Sequence, residues 1–319
     1  MKKLIHFILH CRAENVLAVS FSLGLLVLAA TTRMIHTVSL GMLDVLFLLL
    51  PVFILCVKFL LSALLAPETG GEGEASALTW GIHFFRPLAT IVSDWFPFFL
   101  LSACYYSLYS NFILQVNPHT ADAVLSQIDA AMFGDQPAIL LQPYVVPAVT
   151  DVLNLIYLSH VIVFPGVALY FYVKKDLPAF RMLMFGFLNI SLMGVTSYIL
   201  VPAVGPESYF ASRFTVDLTG NPISQSVNYI ISNGRVAYDC FPSLHVAIPL
   251  LMTLYLRRYA PRAFWLALCY VALMICATIY LRYHYVIDVI AAFFYVPTAY
   301  FLTEFMLRRW PGGCGHRIL

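Results

Sequence analysis

The sequence predicts an all-α fold: a polytopic membrane helix bundle of about eight transmembrane helices, six of them forming a core. Three observations lead there. The chain is 61% hydrophobic and only 11% charged, with a mean hydropathy of +0.85, far from a soluble globular average. Its apolar runs are spread over the whole length, and each span needs roughly 20 apolar residues to cross the hydrocarbon core. The lysines and arginines divide thirteen against four between the two sides of those runs, with Lys58 set apart, as the positive-inside rule expects.

The elements follow in chain order. Residues 1–14 are short and basic, and the first span is expected at 15–32. A cleaved signal peptide competes there, because a basic start precedes an apolar run. The run is long for such a peptide, and Arg12, Ala13 and Glu14 sit directly before it, which favours a retained span. The second span is expected at 42–66, with Lys58 snorkelling to the interface. Residues 67–76 are Gly-rich, acidic and without periodicity, so they read as a linker. Residues 1–76 then form an accessory helical hairpin with its linker, and 77–319 form the six-helix core. Residues 77–92 read as an interfacial helix anchored by Arg86.

The third span is expected at 94–114. Residues 115–149 carry no Lys or Arg, but they do carry Asp122, Asp129 and Asp135. Within them, 121–133 places Val124, Leu125, Ile128 and Met132 at helical spacing. An interfacial helix packed on the core is the favoured reading; a lid guiding a lipid is the other. The fourth span (151–173) carries His160, a lone histidine on an apolar helix, expected to be satisfied by a neighbouring helix and not to act as a ligand. The fifth span is expected at 178–201, the sixth and seventh within 238–288, and the eighth at 283–307. With the N-terminus cytoplasmic, the C-terminus is cytoplasmic too, and the polar ends of the 238–288 block fall at the extracytoplasmic face.

A net charge of +2 is too near neutral to suggest a nucleic-acid partner. The 7 cysteines form no C-x-x-C pair, so neither a disulfide framework nor cysteine ligation of zinc is expected.

The chemistry concentrates in residues 238–288. Asp239-Cys240-Phe241-Pro242-Ser243-Leu244-His245 opens one apolar helix, with Pro242 suited to a first helical turn. The N–H groups from Ser243 to His245 lack intrahelical partners and can bind an anion such as phosphate. A second apolar helix leads to Arg282-Tyr283-His284-Tyr285-Val286-Ile287-Asp288. His284 and Asp288 are four residues apart, so the carboxylate can hold and charge-stabilise the imidazole. Antiparallel packing of the two helices brings His245 opposite His284, and two facing imidazoles suit one nucleophile and one proton donor.

Pro-Ser-x-His followed about forty residues later by His-x3-Asp resembles the second and third signature motifs of the type-2 phosphatidic acid phosphatase superfamily. Phe-Pro-Ser-Leu-His and Tyr-His-Tyr-Val-Ile-Asp look most like its inositol phosphorylceramide synthase branch. The resemblance covers roughly residues 93–307. It implies an integral-membrane enzyme, independent of metals and other cofactors, with a phosphohistidine intermediate, a lipid substrate and a hydroxyl acceptor or water. On it, His284 is the nucleophile, His245 the general acid and Asp288 the support of His284. Ser243, Leu244, Arg282, Arg235 and Arg213 are the candidate phosphate ligands. Arg86-Pro87 invites comparison with the first phosphatase motif, K-x6-R-P, but Thr79 stands at the lysine position and the segment falls on the wrong side of the membrane. The loop after the fifth span, where that motif would lie, has no lysine, and the third motif's arginine is replaced by Thr278.

Three functions follow: a lipid phosphotransferase, a lipid phosphate phosphatase, and a non-enzymatic transporter. Clustering of the polar groups at one membrane face argues against transport. Two histidines and an aspartate could also bind zinc as a metal hydrolase.

Overall fold

The computed structural model describes residues 13–31, 90–91, 93–102, 113–218, 221–234 and 236–309. The expected second span, the linker, Arg86 and the candidate ligand Arg235 lie outside the described residues. The chain divides into two compact units, Met1–Tyr109 and Ser110–Leu319. The boundary expected at residues 76–77 also lies outside the described residues.

In the first unit, α1 (Ala13–Thr31) covers the expected first span, and residues 93–102 are helical at the start of the expected third. The Asn15 amide donates to the Ser93 hydroxyl at 3.2 Å.

The second unit holds α2 (Asp122–Phe133), α3 (Pro147–Val173), α4 (Leu177–Leu200), α5 (Pro222–Gly234), α6 (Leu244–Tyr259), α7 (Phe264–Tyr280) and α8 (Val286–Arg309). Among the described residues there is no strand, only an isolated bridge between Ala203 and Asp239. Four of these helices are long and apolar enough to cross a membrane: α3, α4, α7 with the 3₁₀ turn before it (Pro261–Tyr280), and α8. They match the expected fourth, fifth, seventh and eighth spans.

The expected sixth span is α6, and it is short. Its 16 residues extend roughly 24 Å, less than a hydrocarbon core. Yet α6 is the hub, packed against α3, α4, α7 and α8. Helices surround it, so its neighbours, and not the lipid, set its length. Val246, Ala247, Leu251, Met252 and Tyr255 are all buried. On the α4 side, Gly194 packs directly on Leu244: a Cβ there would stand 2.6 Å from Leu244 Cδ2 and the leucine would have to shift. That close approach seats the first turn of α6, one residue from His245.

Candidate active site

Three chain segments build the site. The first is the entry to α6. The helix begins at Leu244 with Ser243 as its N-cap, so Pro242 lies just outside the first turn and not within it. The Ser243 N–H also differs from expectation, since it donates to the Asp288 carbonyl at 3.2 Å. Ser243 is fully buried and its hydroxyl has no hydrogen-bond partner among the described residues. A buried hydroxyl left unmatched costs stability, which suits a position kept for a ligand.

The second segment is the turn from α7 into α8. The N–H groups of Tyr283 and His284 both donate to the Thr278 carbonyl, at 3.0 and 3.1 Å, which folds the chain back into the bundle. Arg282 adopts a left-handed φ of 68° to make this reversal. Gly205 (φ 86°) backs the turn, and a Cβ there would meet the Tyr283 carbonyl at 2.6 Å. The third segment is the first turn of α8, which carries Asp288, fully buried.

These segments bring the expected trio together. Nδ1 of His245 lies 3.3 Å from Nε2 of His284. Nδ1 of His284 donates to the Cys240 carbonyl at 2.9 Å and approaches Asp288 Oδ2 at 3.4 Å. A proton held on Nδ1 leaves the Nε2 lone pair facing His245. Asp288 Oδ2 also accepts from the Tyr285 N–H at 2.8 Å and from the Cys240 thiol at 2.9 Å.

Cys240 is the site residue that sequence reasoning passed over. Its carbonyl orients His284 and its thiol caps Asp288, although no spacing motif marked it. Burial, and then the charge of Asp288, push the Cys240 thiol well up, so it stays a protonated donor.

Aromatic rings pack around His245. Tyr157 of α3 stacks on it at 4.4 Å between centroids, and Tyr157 meets Tyr283 at 4.5 Å. His160, one turn further along α3, stands edge to face with His245 at 4.3 Å. His160 hydrogen-bonds within its own helix, Nδ1 to the Tyr157 carbonyl at 2.7 Å, and not to a neighbouring helix as expected. It lies thirteen residues, roughly 20 Å, along α3 from Pro147.

The candidate phosphate-binding arginines do not converge on the histidines in the same way. Arg213 forms an exposed two-pronged pair with Asp135, at 3.1 and 2.6 Å. Arg282 is buried, donates to the Val216 carbonyl at 2.6 Å and lies 4.0 Å over the Phe214 ring. Burial pulls its guanidinium below the usual range. Both arginines thus fasten the loop around residues 210–217.

Two acids of α2 support the site from outside, and sequence reading did not assign them. Asp122 accepts from the N–H groups of Val204 and Gly205, both at 3.0 Å, and from the Tyr285 hydroxyl at 3.0 Å. Asp129 accepts from the N–H groups of Val286 and Ile287, at 2.7 and 3.0 Å, and so caps α8. The signal was their spacing: seven residues is two helical turns, which puts both acids on one face.

Ligand atoms of Cys240, His284 and Asp288 lie within 4.8 Å of one another and could hold a metal ion. This is a different trio from the two histidines and aspartate weighed as a zinc site. A tetrahedral zinc with bonds of about 2.0–2.3 Å spaces its ligands by roughly 3.3–3.6 Å. The separations of 3.6 and 3.4 Å fit, but the 2.9 Å from Cys240 Sγ to Asp288 is that of a proton-bridged pair. Hydrogen bonds therefore account for the cluster.

A family model described as PAP2 superfamily matches residues 123–302, more than half of the chain and inclusive of His245, His284 and Asp288. No curated protein and no solved structure matches the chain.

Proposed function

The chain belongs to the PAP2 superfamily, and on that premise we propose that it is an integral-membrane lipid phosphotransferase, of the inositol phosphorylceramide synthase type, working through a phosphohistidine. Family membership supports lipid phosphatase or phosphotransferase chemistry, and the four long apolar helices fit a membrane protein with a lipid substrate. The observation that carries the finer reading is the 3.3 Å contact between imidazoles from separate segments, with a buried carboxylate and a carbonyl behind one of them.

In the first half-reaction, Nε2 of His284 attacks phosphorus, the bond from phosphorus to the leaving alcohol breaks, and protonated His245 gives its proton to that oxygen. The phosphoryl group enters by separating the two rings. In the second, an acceptor hydroxyl attacks the phosphohistidine, the N–P bond breaks, and His245 takes the hydroxyl proton. Asp288 and the Cys240 carbonyl stabilise the charge that His284 gains. Transfer is favoured over hydrolysis by the shortage of uncommitted cations among the described residues: Arg213 and Arg282 already have protein partners, and a phosphodiester brings less negative charge than a monoester. The thirteen-to-four loop bias supports cytoplasmic termini and an extracytoplasmic site.

The test is incubation of purified protein with radiophosphorus-labelled lipid phosphoesters and candidate hydroxyl acceptors, with and without a chelator. A new labelled lipid, formed in the presence of chelator, is the expected product. Free phosphate as sole product would establish the phosphatase instead. Turnover that survives His284→Ala would remove the nucleophile.

A further inference from the structure

Among the described residues, the cradle that would neutralise the phosphoryl oxygens lacks an obvious cation. The loop after the fifth expected span, where the phosphatase lysine would lie, has no lysine, the third-motif arginine position is Thr278, and Arg213 and Arg282 hold loop groups. The missing charge points to α3. The His160 ring lies 4.3 Å from that of His245, closer than the 5.5 Å between His245 and His284. Its Nδ1 is tied to the Tyr157 carbonyl, which pins the ring, and its Nε2 has no hydrogen-bond partner among the described residues. An ionisable group on a membrane helix is costly and is retained where it meets a partner. Two residues before His245, the buried Ser243 hydroxyl also has no partner among the described residues. One group thus packs against His245 and the other lies two residues before it in the chain, and both have an unused donor. An anion with several acceptor oxygens satisfies both at once.

We propose that His160 is the cation of the phosphate cradle, becoming an imidazolium when substrate binds and donating from Nε2 to a phosphoryl oxygen. This rests on the reading above, in which the phosphoryl group lies between His245 and His284. No covalent bond changes at His160; one proton is taken up from solvent with the phosphate and released with the product. The histidine is suited to a transferase site because its charge appears only while the anion is present, so an empty site carries no buried cation.

The experiment is calorimetric titration of inorganic phosphate into the full-length protein in nanodiscs, comparing wild type with His160→Ala, His160→Gln and His160→Lys. Loss of a charge-assisted hydrogen bond is expected to weaken phosphate binding about 10-fold or more in His160→Ala, less in His160→Gln, with recovery in His160→Lys. Melting temperatures of the same samples identify any variant that is misfolded, and the Gln and Lys variants carry the comparison if Ala is. Wild-type affinity in all three variants overturns the role of His160 while leaving the histidine pair intact. Wild-type protein that binds no phosphate overturns the underlying site, and this proposal with it.

Discussion

Cys240 joins three parts of the site through one residue: its carbonyl fixes the His284 tautomer, its thiol donates to Asp288, and its sulfur lies against the Tyr283 carbonyl. Replacing the side chain leaves the carbonyl in place, so Cys240→Ala should lower kcat only about 2–10-fold, the worth of one net hydrogen bond. On the proposed mechanism, His245→Ala removes proton transfer itself and should cost about 10²–10⁴-fold. Steady-state kinetics of the two variants check the ordering, and equal losses would refute the division of labour. Because its pKa is pushed up, Cys240 should resist alkylation in the folded protein while exposed Cys269 and Cys276 react with a lipid-soluble maleimide; mass spectrometry of the labelled peptides reads this. His160 shows what sequence reading misses at this scale. A lone histidine on an apolar helix gives no hint of a ring 4.3 Å away on a helix eighty-five residues later.

At the scale of elements, α2 reverses the usual arrangement of an amphipathic helix. Its buried face carries Asp122, Leu125, Ser126 and Asp129, and its exposed face carries Val124, Ile128 and Met132. The apolar spacing was legible in the sequence; which face turns inward was not, because the acids are buried only where the unpaired N–H groups of Val204, Gly205, Val286 and Ile287 receive them. Asp129→Ala should destabilise the protein by about 1–2 kcal/mol, as loss of an N-cap does, with Asp129→Asn milder because an acceptor remains. Thermal melts of both decide it. Burial, opposed by those two N–H groups, raises the Asp129 pKa, so the neutral Asn replaces a charge that the site already disfavours.

The glycines offer a paired test of backbone constraint. Both Gly134 and Gly205 have positive φ, but a Cβ at Gly134 meets open space and one at Gly205 meets the Tyr283 carbonyl. Gly134→Ala should cost about 1 kcal/mol and leave activity intact. Gly205→Ala adds a collision with the His284 turn and should cost more than about 2 kcal/mol, with loss of activity. Similar melting temperatures for the two variants would contradict this account of the turn.

The Arg213–Asp135 pair predicts a pH effect. Asp135 is held below the usual carboxylate range, first by the Arg213 hydrogen bond. A depressed folded-state pKa gives a contribution present above the unfolded value of about 3.9 and lost as pH falls through the folded value. Both partners are substantially exposed, so the effect should stay below about 1 kcal/mol. The difference in melting temperature between wild type and Asp135→Asn should shrink as the pH is lowered through that window; a constant difference would show that the pair is not responsible.

At the scale of the whole second unit, the shorter α6 packs against α3, α4, α7 and α8, and its first turn carries His245. The loop bias predicts which side that end of α6 faces. A cysteine introduced at Ala211 should react with an impermeant thiol reagent from outside intact cells, and one introduced at Ala263 only after permeabilisation. The reverse pattern would invert the proposed orientation.

Composition and local order alone settled the helical class and the long spans of the second unit, and they named the three residues that meet in the candidate site. Hydropathy acts over twenty consecutive residues, and His284 with Asp288 is a contact between neighbours one helical turn apart; both are written along the chain. Packing decided the rest: that α6 is a short hub, that Cys240 and two acids of α2 hold the site, that the arginines serve a loop, and that His160 lies beside His245. Those outcomes depend on which donors are left unmatched when distant segments meet, a quantity that exists only once the chain has folded.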